Sequence, residues 1–304
     1  MTRVGVWLGL LCVVGCDAED GIANTGNDVE VEVAEDGVCE CPLDDAGIYM
    51  LTDSGEIWTY DPRTGCFDFV LRAHCGARTD FFSLAVSRHG RAWVQFADDE
   101  DFYTVDLEDP EGTCRDPGFE SEDELICAAN VAFVREGAGD ACDRMYLYSA
   151  PKEPDRGQFA VMSPRTLELS QFDVGTGYNY GDLTGTPDGR LFGLVRAPEE
   201  PRIREYDKHT GEVLTEVRIP ELDDLWTGSL SYWGGMFYIY AHVDEAGEQR
   251  MLLEYDYFDL RGRGRVVTTI VEQMPFYMAA AAVSPCAPAA VSAPRTAGPS
   301  CSRL

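Results

Sequence analysis

A chain of 304 residues that sets 54 Asp and Glu against 24 Lys and Arg carries a net charge of -30. So acidic a chain repels phosphate backbones and anionic headgroups, which excludes nucleic acid as a partner. The four histidines, at 74, 89, 209 and 242, are too scattered for a zinc spacing, and no Asp-x-Asp-x-Asp-Gly loop offers calcium a site, so no metal or cofactor is expected.

Met1-Thr2-Arg3 is followed by a short apolar run from Val4 to Val14 and a small residue, Gly15, ahead of Cys16. This is the pattern of a signal peptide over residues 1–15. The run is shorter than the roughly 20 apolar residues a permanent span requires. Val13-Val14-Gly15-Cys16 resembles the bacterial lipobox, in which the cysteine becomes the first mature residue and receives acyl chains. Each buried CH₂ of such chains contributes about 0.8 kcal/mol, so Cys16 would anchor the protein without a transmembrane helix. The expected location is the extracytoplasmic side of the cell envelope. Asp17 resembles a signal for inner-membrane retention in some Gram-negative bacteria, and the choice between inner and outer membrane stays open.

Residues 16–38 are rich in carboxylates, with no Lys or Arg to offset them, and read as a solvated tether. The alternating Val29, Val31 and Val33 could add a strand elsewhere. With Cys12 in the signal and Cys16 lipidated, Cys39, Cys41, Cys66, Cys75, Cys114, Cys127, Cys142, Cys286 and Cys301 remain. An oxidising compartment would pair most of them and leave one over, for which Cys301 is the candidate. Cys39 and Cys41 could instead form half of a metal site, but disulfides suit the scattered histidines better.

From there the chain repeats itself. Five segments align, beginning at Phe82, Ala129, Gly181, Gly228 and Met278, and they recur at intervals of about 49 residues. After each of the first four comes an aromatic or branched run, as in Ala92 to Phe96, Met145 to Tyr148, Leu191 to Val195 and Met236 to Tyr240. A third strand and a turn follow, as in Ile203 to Gly211, and then a more variable fourth strand, as in Glu212 to Ile219. Period-two alternation bounded by Asp-Gly or Thr-Gly turns is a hairpin signal. Only the fourth strand of the unit ending near Phe119 is hard to locate.

Four-stranded units at this spacing predict an all-β, five-bladed β-propeller over residues 39–287, with 288–304 a disordered tail. Ile48 to Leu51 is a second strand with no first strand before it, and Met278 to Val283 is a first strand with no successor. Together they make one blade, so strands from the two ends of the chain close the ring and remove its exposed edges. That places Cys41 and Cys286 at one rim and predicts a bond between them. A Cys66–Cys75 pair is a weaker expectation.

Trp58 to Gly65, Phe82 to Val94, Leu183 to Gly193, the Trp233 to Gly235 turn and Val283 to Pro288 resemble bacterial β-propeller lipoproteins. Single blades are similar to NHL and quinoprotein repeats through Tyr-Asp-x-x-Thr-Gly and Pro-Asp-Gly-x-Leu. The resemblance implies architecture and no activity.

In such a ring the innermost strands line a central channel. Its aligned positions are Ser83, Asn130, Asp182, Ser229 and Ala279, with Phe81, Tyr180, Trp226 and Tyr277 just ahead of them. These residues form a candidate ligand face, a polar funnel rimmed by aromatics; alternatively they pack between blades and satisfy one another. The expected function is a membrane-tethered, monomeric binding or scaffolding module for an envelope protein, peptide or glycan. The alternative is a carbohydrate-active hydrolase or lyase using Asp182. That needs a second carboxylate roughly 5 to 10 Å away, for which Asp80 is the distant candidate. No nucleophile elbow, metalloprotease helix or phosphate loop is present, so no catalytic residue is assigned.

Overall fold

The computed structural model describes residues 39, 41, 47–97, 101–119, 129–136, 142–149, 158–175, 181–196, 200–223, 225–243, 249–258, 265–274 and 276–290. In chain order the strands are β1 (Ile48–Thr52), β2 (Glu56–Asp61) and β3 (Cys66–Arg72), then β4 (Phe81–Val86), β5 (Arg91–Phe96) and β6 (Phe102–Asp106). A third set follows as β7 (Ala129–Arg135), β8 (Asp143–Ser149), β9 (Gln158–Met162) and β10 (Leu169–Gly175). The fourth is β11 (Gly181–Gly185), β12 (Leu191–Arg196), β13 (Pro201–Tyr206) and β14 (Val213–Arg218). The fifth is β15 (Thr227–Trp233), β16 (Met236–His242), β17 (Arg250–Asp256) and β18 (Arg265–Val271), after which β19 (Met278–Ala282) returns to the start.

These strands form five antiparallel sheets arranged as the blades of a β-propeller. β19 pairs with β1 in the register Tyr49↔Ala282 and Leu51↔Ala280, so one blade has the order β19-β1-β2-β3 and draws on both ends of the chain. The inner strands β4, β7, β11, β15 and β19 are neighbours in that cyclic order, and β19 lies against β4 to shut the ring. The face where inner strands begin is termed the front, and the face where they end the rear.

Each blade buries both sheet faces against its neighbours, so the apolar core is divided into wedges. Leu84 and Val86 of β4 pack with Tyr49 and Leu51, while Ala85 of the same strand packs with Val131 and Phe133 of the next blade. Further round, Leu183 joins Val134 and Tyr148, Leu230 joins Leu194 and Ile203, and Trp233 joins Ile48 and Met50. Strands buried on two sides read as continuous apolar runs, and for that reason β1 and β16 carry so little polar sequence. The outermost strand β14 is exposed along most of its length, which explains its variability.

The Tyr-Asp-x-x-Thr-Gly repeats are turns with a local cause. Asp61 Oδ1 accepts the Arg63 N–H at 2.8 Å, and the carbonyl of Asp61 accepts Gly65 N–H at 2.8 Å. Asp207 holds His209 and Gly211 in the same way, at 2.8 and 2.7 Å. Gly65 and Gly211 sit at φ 72 and 75°, where a side chain would be strained.

The second blade departs from the four-stranded pattern. Among the described residues its sheet is β4-β5-β6, and the fourth position is taken by an irregular segment that makes a single antiparallel bridge, Thr104↔Arg115. Phe119 nevertheless seals the wedge, stacking edge-on against Phe102 at 5.6 Å. Cys75–Cys114 pins this segment to the preceding connection, so the expected Cys66–Cys75 pair is corrected. Cys66 is disulfide-bonded as well.

Cys41–Cys286 is present, with a Cα–Cα distance of 5.4 Å, and Cys39–Cys142 stands beside it at 5.3 Å. Cys142 precedes β8 and Cys286 follows β19, so both bridges lie on the rear face. Among the described residues, no group of His, Cys, Asp or Glu is placed to hold a metal ion, and no helix is long and apolar enough to cross a membrane. Cys16, the signal segment, the valine-rich part of the tether, Cys127, Cys301 and most of the tail fall outside the described residues.

Candidate functional site

The expected funnel separates into two populations. Phe81 is buried, tilted against Phe96 at 4.6 Å, with its ring 2.5 Å from where a side chain at Gly55 would begin. Gly55, at φ 84°, is therefore a glycine because a neighbouring blade occupies its flank. Ser83 and Ser229 are buried, Asn130 is half-buried, and Tyr180 lies outside the described residues.

Asp182 belongs to the buried population. It sits on the side of β11 that faces the next blade, and Oδ2 accepts the Leu230 N–H of β15 at 2.6 Å. Thr184, two residues on and on the same side, accepts Tyr232 N–H at 3.2 Å. Gln95 does the same between the second and third blades, accepting Ala129 N–H at 2.7 Å. Inner-strand backbones have no sheet partner on the channel side, and these side chains satisfy donors that would otherwise be buried unpaired. Burial pushes the Asp182 carboxyl up to about 7, against the pull of hydrogen bonds from Leu230, Leu183 and Ser229.

The second population is exposed and lies on the front face where the closing blade meets its predecessor. Trp226 is 43 % exposed and Tyr277 is 41 % exposed. Between them is His242, the last residue of β16, only 1 % exposed. Trp226 N–H donates to the His242 carbonyl at 2.7 Å, and the imidazole meets the Tyr277 ring edge-on at 4.3 Å. Beneath, His242 Nε2 shares a 2.8 Å hydrogen bond with Tyr240 Oη, which also accepts Met278 N–H at 3.2 Å. Burial raises the Tyr277 hydroxyl; Asp53 raises it further and Arg250 lowers it, so both charges act on this spot.

Sequence reasoning singled out Trp226 and Tyr277 but passed over His242, Asp53 and Arg250. A usable signal was present: β16 ends, β17 begins and the β1–β2 turn falls at the same face, so aligning the far ends of second strands would have brought these residues forward.

Fold and site together define a class, a five-bladed β-propeller whose terminal strands share a blade and whose front face carries an aromatic site. No family model and no curated protein sequence matches the chain. Among solved structures it is similar to TolB from Acinetobacter baumannii, at 16 % identity and a TM-score of 0.47, over 75 % of this chain and 54 % of that one. The chain thus spans about half the length of the TolB chain. It is also similar to a chain of a nidogen/laminin complex, at 10 % identity and TM-score 0.48, over 78 % and 98 % of the two chains. Virginiamycin B lyase from Staphylococcus aureus, in a catalytically inactive form with quinupristin, matches at 11 % identity and TM-score 0.42, over 75 % and 71 %.

Proposed function

We propose that the protein is a lipid-anchored, extracytoplasmic binding module that presents the front face of its propeller to a partner in the cell envelope. The observation that carries this is a pair of large, solvent-exposed aromatic residues on the front face, Trp226 bonded through its backbone to the buried His242 and Tyr277 packed edge-on against the His242 ring. Exposed aromatics held rigid by buried neighbours are the usual anchors of recognition.

The anchor is supported by the lipobox-like Val13-Val14-Gly15-Cys16 and by disulfides, which need an oxidising compartment. Cys39 and Cys41 are both bonded at the rear face, so a tether joined to them leaves the front face turned away from its membrane. The hydrolase alternative loses ground because the Asp182 carboxylate bonds the neighbouring blade.

Two measurements test the reading. Cys16→Ser should move the protein from the membrane to the soluble fraction; unchanged fractionation would refute the anchor. Cross-linking in native envelopes should capture one dominant partner with the wild type, and at least 10-fold less with a Trp226→Ala/Tyr277→Ala double variant. Equal capture by both would refute the binding face.

A further inference from the structure

We infer that the Trp226–His242–Tyr277 site takes an uncharged glycan, stacking a hexopyranose ring on its exposed aromatic surface; this deepens, and rests on, the reading of the front face as the binding face. Three features of the site select this ligand chemistry.

The first is preorganisation. The backbone N–H of Trp226 bonds the His242 carbonyl, which sets where its side chain leaves the sheet, and the Tyr277 ring lies edge-on to the imidazole. The imidazole is itself held by Tyr240 Oη, which is tied to the backbone of Met278. A Tyr277 ring packed in this way, beside a Trp226 whose backbone is anchored, loses little freedom when it is covered, so even a small ligand can gain from the site.

The second feature is charge. The chain as a whole carries -30, yet this spot has one charge of each sign. Arg250 lies directly opposite His242 in the β16–β17 register, and Asp53 follows Thr52, which lies opposite Met278; the two act on the Tyr277 hydroxyl with opposing effects. The two opposite charges offset one another, so the site gives a ligand of either sign no net partner, and the acidic surroundings further disfavour an anion. A neutral ligand needs no such partner.

The third is the match of shape to donors and acceptors. A hexopyranose offers an apolar C–H face that covers an aromatic ring, bordered by hydroxyls that both donate and accept. Asp53 supplies a carboxylate that accepts only, and Arg250 a guanidinium that donates only, so the hydroxyls of one ring can serve both. Flat apolar area with a few polar groups at its border is the general pattern of small-ligand sites.

The test is a calorimetric titration of the disulfide-intact protein with cellotetraose, maltotetraose and chitotetraose, and with tetralysine as the cationic comparison. At least one neutral tetrasaccharide should bind with a Kd on the order of 0.1–1 mM. Trp226→Ala and Tyr277→Ala should each weaken it 10-fold or more, and Asp53→Asn by a smaller factor. In the wild type, the Trp226 indole N–H resonance should shift on saturation, a readout that does not depend on any variant folding. The inference is overturned if no tetrasaccharide binds at about 10 mM, if both alanine variants bind unchanged, or if tetralysine alone binds. Should the double variant lose envelope capture while no saccharide binds, the glycan falls and the front-face reading stands. Should a saccharide bind at Trp226 with capture unaffected, the glycan site stands and the partner docks elsewhere.

Discussion

Asp182 shows how position within a ring determines what a carboxylate can do. Its carboxyl is raised from an ordinary 3.8 to about 7, mainly by burial. Between those values the folded protein holds a proton that the unfolded chain has released. The stabilisation from this group is therefore complete below about 3.8, falls as pH rises from there and is fully lost once pH has passed about 7. The difference in midpoint temperature between wild type and Asp182→Asn should change by on the order of 5–10 °C between pH 5 and pH 8, to the disadvantage of the wild type at high pH. A pH-independent difference would show that Asp182 is not protonated in the fold. Arg88 and Asp143 pose the opposite case, a buried pair bonded at 2.5 Å between the second and third blades. Asp143→Ala leaves the guanidinium buried without its carboxylate and should cost about 3–5 kcal/mol in denaturant unfolding. A loss under about 1 kcal/mol, the range of exposed pairs, would place Arg88 in water.

At the scale of elements, the second blade is the exception. Among the described residues, β6 has the single bridge Thr104↔Arg115 on its outer side, and the segment providing that bridge is held by Cys75–Cys114. A backbone with few sheet hydrogen bonds opens locally at low cost. Cys75→Ser/Cys114→Ser should raise hydrogen exchange in residues 107–119 by about 10-fold or more while leaving β4 and β5 protected. Uniform acceleration across the blade would mean that the disulfide supports the whole sheet. The regular blades were legible because each is built from local signals: apolar runs separated by tight turns, of which Asp61–Gly65 and Asp207–Gly211 bond their own backbone. In the irregular segment Asp116 and Gly118 bond each other locally, but the segment is held in place by contacts outside itself, Phe102 and Cys75.

For the molecule as a whole, closure is the decisive event. Removing residues 278–304 takes away β19, leaving β1 with an open edge and Leu84 and Tyr49 without their Ala280 and Ala282 neighbours. Such a chain should aggregate or unfold cooperatively at least about 15 °C below the full-length protein, since an exposed inner edge invites pairing between molecules. A monomeric truncation with an unchanged transition would mean that four blades suffice.

The sequence by itself determined the blade count, the sharing of one blade by the two ends and the Cys41–Cys286 bridge. These follow from the spacing of turns and of apolar runs, which are read off along the chain. Tertiary structure alone decided which aromatic ring faces water and which a neighbour. Phe81 and Tyr277 hold equivalent places in the repeat, yet one is roofed by Gly55 of the adjoining blade and the other stands at an open junction. Likewise, nothing along the chain distinguishes a carboxylate aimed into a channel from one bonded to Leu230, because that depends on how far one blade is rotated against the next. Packing between blades is a long-range property, and which aromatic residues it leaves uncovered is decided only once the ring has closed.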